Sequence, residues 1–501
     1  MKTGSTTLRA SMFGTGRGLL SVASVTFALL VATAAGVPAA RAAAQATDDA
    51  PRGLRLHEAL EQALRSSPRL AAVRDALDRA TISHRLAESR FGYKITPFFS
   101  TLADPYGPTG PSFGVDLQKL LPTGTTVGFR ANSFAFGGGA GGGRDNGYTF
   151  SVSHPIFAAF GPEPEYELTV AGRAVENAAG EIEATRQRLV LEVAQAYFDI
   201  VRQQNLLAAS EVALERARRL KIASETRMSV GLATRLDVLR ADLFRSQTEA
   251  SLGDRQTALA DAEDHLKLLM GLPVNAPLRI AGDDLDDYVG GAEIAAADPS
   301  APESLRPLIA VALSERVDVR LARARVEDAE HAASLATWSL LPKINLNASY
   351  SQRGLGSAFG SAYADLFRGW NIGITSAYTL DRSAEMAAFN SASISARSAE
   401  RALADLRERV AADVRRAHRA ILRAEKSIDI QTQAVEVSET QLELAQLRYE
   451  RGLADNFDVV DAESNLFNAQ SALVSARVDR AIAGLALELS MGRLSPGKYS
   501  R

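Results

Sequence analysis

Two long helical patterns are joined by Arg448-Tyr449-Glu450-Arg451-Gly452-Leu453-Ala454-Asp455-Asn456-Phe457-Asp458-Val459-Val460-Asp461. A second copy stands 221 residues earlier, Arg227-Met228-Ser229-Val230-Gly231-Leu232-Ala233-Thr234-Arg235-Leu236-Asp237-Val238-Leu239-Arg240. In each copy a glycine, Gly452 or Gly231, ends the first helix by accepting a left-handed backbone conformation. Asp455 or Thr234 then caps the second helix, with Asp458 or Asp237 in its first turn. Each copy therefore predicts the tip of a helical hairpin.

The duplication extends well beyond the two tips. The offset of 221 residues pairs Leu266 with Leu487 and the dipeptide Met270-Gly271 with Met491-Gly492. Near the start of the chain the offset is 249 residues, and it pairs Lys94-Ile95 with Lys343-Ile344. Both halves therefore read as a helix, strands, a long helix, a tip and a helix. Because the offset shrinks from 249 to 221, the first half carries about 28 extra residues in its strand region.

Composition excludes several functional classes. A formal net charge of -3 over 501 residues gives no reason to expect a nucleic-acid partner. Cysteine is absent, which excludes disulfides and thiolate metal sites. The six histidines show no metal-ligand spacing, and the motifs of serine hydrolases, zinc proteases and phosphate-binding loops do not occur. We therefore predict no enzymatic activity, no catalytic residue, no metal site and no cofactor.

The N-terminus has the pattern of an export signal. Lys2, Arg9 and Arg17 precede the apolar run Gly18–Val37, and small residues follow before Gln45. The alternative is a retained membrane anchor, because the run is nearly long enough to span a bilayer. We predict a signal peptide over 1–44, a first repeat over 45–272, an irregular linker over 273–302, a second repeat over 303–494 and a short tail over 495–501.

Apolar periodicity predicts the helices. A short amphipathic helix ends near Pro68, and a second runs from Leu70 to about Phe91, with a counterpart from Leu308 to about Leu341. The long helices span about 165–230 and 386–451. A seven-residue repeat follows each long helix and predicts coiled-coil packing. Its members are Val193, Ile200, Leu207 and Leu214 in the first half and Val414, Ile421, Ile428, Val435, Leu442 and Tyr449 in the second.

The strand regions alternate apolar and small polar residues, as a strand between lipid and a wet lumen requires. In the second half the alternating strands begin after Pro342 and at Trp370. In the first half we predict that Phe113–Leu121 and Thr125–Phe134 form an extra hairpin around the turn Pro122-Thr123-Gly124. A glycine-rich loop, 137–143, leads to a further strand that ends at Pro155. The alternative is a soluble sheet with one face on a core.

These features together resemble the TolC-like outer membrane efflux proteins, and the resemblance covers essentially the whole mature chain. It rests on the opening helix, the duplicated halves and the two Gly-Leu-x-x-x-x-Asp-Val tips, Gly231–Val238 and Gly452–Val459. It implies a mainly helical fold with a β part, in which a homotrimer closes one outer-membrane β-barrel over a periplasmic α-barrel. It also implies a periplasmic adaptor and an inner-membrane transporter as partners. The competing hypothesis is a periplasmic coiled-coil scaffold or adaptor protein.

The same resemblance implies a gate near the tips. Asp458 and Asp461 match the family's acidic ring at the tunnel constriction, and Tyr449 and Asp237 match a tyrosine and an aspartate that bond in its closed state. The two acids are three residues apart, so their carboxylates share one helix face and would attract cations in a trimer. The chain departs from the family at Ala454, where the best-known member carries an arginine. A second departure is a first strand block long enough for four strands instead of two.

Both tips also predict a docking surface for the adaptor. A leucine at a helix-helix turn has no intramolecular core to enter, and small neighbours allow a partner helix to approach closely. The tip residues are Gly231 and Leu232 in the first repeat and Gly452 and Leu453 in the second. The alternative is that each leucine only caps its own hairpin. The cargo stays open between drugs, metal ions, polysaccharides and polypeptides.

Overall fold

The computed structural model describes residues 53–102, 110–136, 143–156, 163–281, 305–356 and 366–494. The predicted signal peptide, most of the linker and the C-terminal tail lie outside these residues. The helices are α1 (Leu56–Ser66), α2 (Pro68–Ser89), α3 (Glu163–Ser229), α4 (Arg235–Leu269), α5 (Arg306–Glu315), α6 (Val317–Trp338), α7 (Ser383–Glu450) and α8 (Asn456–Ser490). The strands are β1 (Tyr93–Leu102), β2 (Gly110–Leu120), β3 (Thr126–Phe136), β4 (Gly143–Pro155), β5 (Lys343–Gly356) and β6 (Leu366–Ala377).

Two helical hairpins, α3–α4 and α7–α8, form as the duplicated sequence predicts. Gly231 and Gly452 have φ angles of 78° and 71°, the left-handed region that a helix C-terminus of this kind needs. In both copies the next amide bonds a carbonyl five residues back, Leu232 to Arg227 at 2.8 Å and Leu453 to Arg448 at 2.9 Å. The two tips are therefore copies of one structure as well as of one sequence.

The helix predicted over Leu308–Leu341 is wrong as a single element, because it breaks into α5 and α6. The break falls at Arg316, which has the same extended backbone as its counterpart Ser67 between α1 and α2. The half-buried Arg316 guanidinium bonds Asp318 at 2.7 Å and the Ser490 carbonyl at 3.3 Å. No proline marks this break in the sequence, and one of its stabilising contacts, with Ser490, comes from the chain's far end.

The seven-residue repeats lie in the helical interfaces. Four members of the repeats are at most 1% exposed: Val193, Ile200, Val414 and Ile421. Tyr449, nearer the tips, is also buried. Helix α3 packs on α4 and on α8, and α8 in turn packs on α7. Val193 and Ile200 belong to a core that includes Val478 of α8, so the first seam joins the two repeats. Val414 and Ile421 pack with Leu487 of α8, so the second seam holds α7 on α8 within one repeat.

One antiparallel sheet contains all six described strands in the order β1-β2-β3-β4-β5-β6. The predicted extra hairpin is confirmed as β2–β3, which pairs with β1 on one side and with β4 on the other. Gly124 in its turn has a φ of 76°. Gly143, the last residue of the predicted glycine-rich loop, already belongs to β4 and pairs with Phe136. The rest of that loop lies outside the described residues.

The two faces of this sheet differ in chemistry. One row of directly opposed residues crosses all six strands on the apolar face: Ile95, Leu117, Phe129, Phe150, Tyr350 and Trp370. Much of that face is uncovered, since Ile95 is 68% and Trp370 77% exposed. The opposite face is polar, with Arg130 bonded to Asp116 at 2.6 Å and Ser153 to Asn347 at 2.8 Å. Among the described helices we find none long and apolar enough to cross a membrane.

Candidate functional site

The predicted gate residues lie where α4 and α8 begin, next to the two tips. Thr234 and Asp237 cap α4 reciprocally: the Asp237 amide donates to Thr234 Oγ1 at 3.3 Å, and the Thr234 amide donates to Asp237 Oδ2 at 2.8 Å. Asp455 caps α8 by accepting from the Phe457 amide at 3.0 Å. Both caps are those predicted from the sequence.

Asp237 is held by its own cap. Its carboxylate also accepts from the Thr234 hydroxyl at 2.7 Å. The amide and hydroxyl of Thr234 both hold the pKa of Asp237 below its ordinary value, and the nearby Arg240 charge adds to the effect. The Asp237 carbonyl accepts from the Asn456 side chain, which ties the start of α4 to the start of α8. Asp237 therefore stabilises the tip through local bonds.

The predicted bond between Tyr449 and Asp237 is not formed within the described chain. The Tyr449 hydroxyl lies 3.0 Å from that of Ser224, where both side chains are buried between α3 and α7. The reason is helix phase: Tyr449 continues the heptad seam into the interface, whereas Asp237 belongs to the exposed cap. A bond between these two residues from different subunits stays a prediction.

Arg227 completes the contact at Tyr449 and was missed by the sequence reasoning. Its guanidinium donates to the Tyr449 carbonyl at 2.6 Å and lies 4.6 Å from the centre of the Tyr449 ring. Carbonyls at a helix C-terminus are partly unsatisfied and carry negative partial charge, so a cation is favoured there. A signal was available, because Arg227 is the first residue of the duplicated tip and its copy is Arg448.

A second contact between the repeats joins Arg240 to Asp455. The guanidinium and carboxylate are 3.5 Å apart, with side chains 41% and 54% exposed, and Arg240 also stacks 5.9 Å from the Phe457 ring centre. Ala454 stands where the best-known member of the family that the chain resembles carries an arginine, yet Arg240 from the other repeat reaches the adjacent residue, Asp455. Sequence reasoning could not find this pair, since its members are 215 residues apart.

Asp458 and Asp461 are both exposed near the start of α8, as lining residues would be. Asp461 accepts from the Asn465 side chain one turn later at 3.2 Å. Unlike Asp237, Asp458 is not tied into a reciprocal cap in the described chain. Their carboxylates are thus available to solvent on the first two turns of α8.

A third acid near the tips is buried. Glu463, 4% exposed, accepts from Arg216 at 3.1 Å and from Gln446 at 3.4 Å. Burial raises the pKa of Glu463, and the Arg216 charge offsets only part of that effect. This acid stands two residues after Asp461, so α8 places an exposed and a buried carboxylate close together with opposite environments.

The tip leucines are the outermost apolar side chains of the hairpins. Leu232 is 70% and Leu453 75% exposed, and Val230 beside them is 64% exposed. No group of three or more potential metal ligands is found among the residues that the structure describes.

The chain is similar in sequence and in fold to known outer membrane proteins. The family model described as "Outer membrane efflux protein" matches residues 125–272 and 308–493, more than half of the chain. "Outer membrane protein TolC" of Vibrio cholerae is 26% identical over 341 residues, which cover 66% of this chain and 73% of that protein. "Pyoverdine export outer membrane protein OpmQ" of Pseudomonas aeruginosa is 25% identical over 309 residues, 61% of each chain. The solved structure of VceC from Vibrio cholerae superposes with a TM-score of 0.65 at 19% identity, covering 87% of this chain and 96% of that one.

Proposed function

The chain belongs to the outer membrane efflux protein family, and from this premise we propose that it is the outer-membrane exit duct of a tripartite efflux or type I secretion system. It passes small molecules or polypeptides from an inner-membrane pump and a periplasmic adaptor to the outside, and it catalyses no reaction. The observation that carries the proposal is the uncovered apolar row from Ile95 to Trp370, on a sheet fused to helices of 67 and 68 residues. At ~1.5 Å per residue such helices extend roughly 100 Å, the reach of a periplasmic tunnel.

A homotrimer supplies the closure that one chain lacks. Within the described residues β1 pairs only with β2, and β6 only with β5. An open sheet edge is not tolerated in lipid, so copies must join edge to edge. The first repeat supplies one edge of the subunit, β1 and α4, and the second supplies the other, β6 and α7. A second copy therefore meets matching edges in both layers, and the family's trimers set the number at three.

The outer faces of α4 and α7 fit this arrangement. Leu236, Leu239 and Leu243 are more than half exposed along the start of α4. On α7 an uncovered seven-residue series approaches the same tip: Ile430, Val437 and Leu444. The two helices run in opposite directions relative to the tips, so these apolar seams meet at similar heights when α7 of one subunit packs on α4 of the next. Each seam is then the other's partner.

The tips are the docking surface for the adaptor, and Leu232 and Leu453 are its main apolar contacts. The variant Leu232→Glu/Leu453→Glu is expected to abolish export while the oligomer stays in the outer membrane. The matched control Leu232→Met/Leu453→Met keeps the tips apolar and should keep export. Loss of the oligomer in the glutamate variant would mean that the leucines only cap their own hairpins.

Cell fractionation tests the proposal against a periplasmic scaffold or adaptor. The duct is expected in the outer membrane as an oligomer that survives sodium dodecyl sulfate at room temperature and dissociates on heating. A protein released by salt or carbonate washing would contradict the proposal. The uncovered apolar sheet argues against the scaffold, because a periplasmic rod has no surface to place against it.

A further inference from the structure

The first repeat has a hairpin that the second lacks, and the sequence offsets locate the insertion. β5 is the counterpart of β1 at the offset of 249 residues, and β6 is the counterpart of β4 at an offset close to 221. The surplus of about 28 residues therefore falls between β1 and β4. β2 and β3 occupy that interval, from Gly110 to Phe136. The insertion is a pair of strands within the sheet and not an enlarged loop.

The inserted hairpin has the same two faces as the strands around it. Leu117 and Phe129 lie on the apolar row between Ile95 of β1 and Phe150 of β4. On the other face the hairpin places the ion pair Asp116–Arg130 among the polar side chains. A hairpin folded over the outside or inside of a barrel would not continue both faces in register. Its alternation is that of membrane-spanning strands.

We propose that the assembled duct has an eighteen-stranded barrel, six strands from each of three subunits, closed where β6 of one subunit pairs with β1 of the next. The proposal rests on the trimeric duct argued above. Barrel diameter grows roughly linearly with strand number, and barrels of about 16 to 18 strands enclose an aqueous channel. The outer-membrane section is thus built for bulkier cargo than a four-strand subunit would allow, such as folded or branched molecules and polypeptide segments.

The register of the closing pair follows from the sheet. A row of directly opposed residues runs perpendicular to the strands, starts at Tyr93 of β1 and ends at Ile372 of β6. A strand tilt of about 35–45°, with ~3.3 Å per residue and ~4.8 Å between strands, shifts this row by about six to nine residues over six strands. It must shift towards higher numbers on the neighbouring β1, because α2 occupies the residues before Tyr93.

Phe99 satisfies these conditions as the partner of Ile372. It lies six residues after Tyr93 and shares its face, so both apolar faces stay aligned. This register pairs all of β1 except Tyr93 with β6, whereas Thr101 as partner leaves a shorter ladder. Phe99 and Ile372 are 73% and 66% exposed in the single chain.

Cysteine cross-linking in whole cells tests whether β6 of one subunit pairs with β1 of the next. The sequence contains no native cysteine, so only the introduced thiols can form disulfides in this protein. Phe99→Cys/Ile372→Cys is expected to give a covalent trimer on oxidation. Phe99→Cys/Gly373→Cys places the thiols on opposite faces and should give none. Phe99→Cys/Phe150→Cys should stay unlinked, since three strand spacings, ~14 Å, separate these strands. An efficient link in this last variant, or none in the first, would overturn the eighteen-stranded barrel.

Deletion of residues 110–136, which removes β2 and β3, tests the width of the barrel. The deletion lets β1 meet β4 with their apolar faces aligned, so Phe99→Cys/Phe150→Cys should now form a disulfide within one subunit. In planar bilayers, neutral polymers added only on the barrel side should show a limiting radius about one third smaller than in the full chain. An unchanged radius would contradict the proposal. If the full chain forms a heat-modifiable outer-membrane oligomer, the proposed duct stands whichever limiting radius is measured. If the full chain forms no such oligomer, both the duct and the eighteen-stranded barrel are refuted.

Discussion

The hydroxyl groups of Ser224 and Tyr449 lie 3.0 Å apart in the buried interface between α3 and α7. This bond joins the two repeats one to two turns above their tips, where we propose that the resting tunnel narrows. Arg227 lies on the Tyr449 ring and bonds its carbonyl, so one aromatic residue is held by its hydroxyl, its ring and its backbone. We propose that opening of the tips breaks these contacts.

Tyr449→Phe should therefore favour the open tip. It leaves the Ser224 hydroxyl buried without its partner, at a cost of about 1–3 kcal/mol to the resting state. We expect a higher probability of large-conductance states in planar bilayers. Ser224→Ala/Tyr449→Phe removes both groups and should cost less than the sum of the single variants. Additive effects would show that the two hydroxyls are not coupled.

The Arg240–Asp455 pair should contribute little, because both side chains are about half exposed. Asp455→Asn removes the charge and keeps a residue that caps a helix well. We expect a change of about 0–1 kcal/mol in tip closure, seen at low ionic strength and lost in concentrated salt. Asp455→Ala, which also removes the cap, should cost about 1 kcal/mol more. An effect of Asp455→Asn that stays the same from low to high salt would exclude a role for the ion pair.

Asp461→Ala should weaken cation selectivity and block by multivalent cations, since the exposed carboxylate is proposed to line the constriction. Asp237→Asn is the matched control, because that carboxylate is engaged in its cap. The control should lower tip stability and leave selectivity unchanged. Bilayer conductance with a salt gradient measures both. Unaltered selectivity in Asp461→Ala would remove Asp461 from the constriction.

Glu463 should make the helical region more stable in mild acid. Burial raises the pKa of Glu463 in the folded chain above its ordinary value of 4.5. A raised pKa means that the folded state binds the proton more tightly, so this contribution is complete below pH 4.5 and is lost as pH rises through the folded-state pKa. Glu463→Gln should flatten the pH dependence of hydrogen exchange in α8 near this residue. A steeper dependence in the variant would contradict this assignment.

Gly231 and Gly271 should respond differently to alanine although both have positive φ angles, 78° and 68°. A Cβ at Gly231 meets no atom within 4 Å, whereas one at Gly271 would lie 2.5 Å from the Ser66 carbonyl oxygen. Gly231→Ala should cost about 1–2 kcal/mol of folding free energy from the left-handed backbone alone. Gly271→Ala should cost clearly more. Thermal unfolding of the solubilised oligomer compares them, and equal losses would refute the steric argument.

Periodicity and local chemistry made much of the architecture predictable. The glycine turns, their caps and the heptad seams depend on residues within a few positions of each other, so the bounds of α3, α4, α7 and α8 were recovered closely. The break at Arg316 was not, because it is stabilised by the Ser490 carbonyl 174 residues away. Glu463 was overlooked for the same reason: only its neighbours on α3 and α7 make it buried.

The duplication, the two hairpin tips and the two faces of every strand can be recognised in the sequence, since side-chain period and helix capping are short-range properties. The partners that the side chains take depend on the tertiary structure. Tyr449 bonds Ser224 because helix phase turns it into the α3–α7 interface, and Asp237 bonds Thr234 because an exposed amide is nearer than any other donor. The tertiary structure also placed the predicted hairpin in the sheet, with β2 on β1 and β3 on β4, because strand pairing depends on hydrogen bonds between segments that the local pattern cannot match to one another.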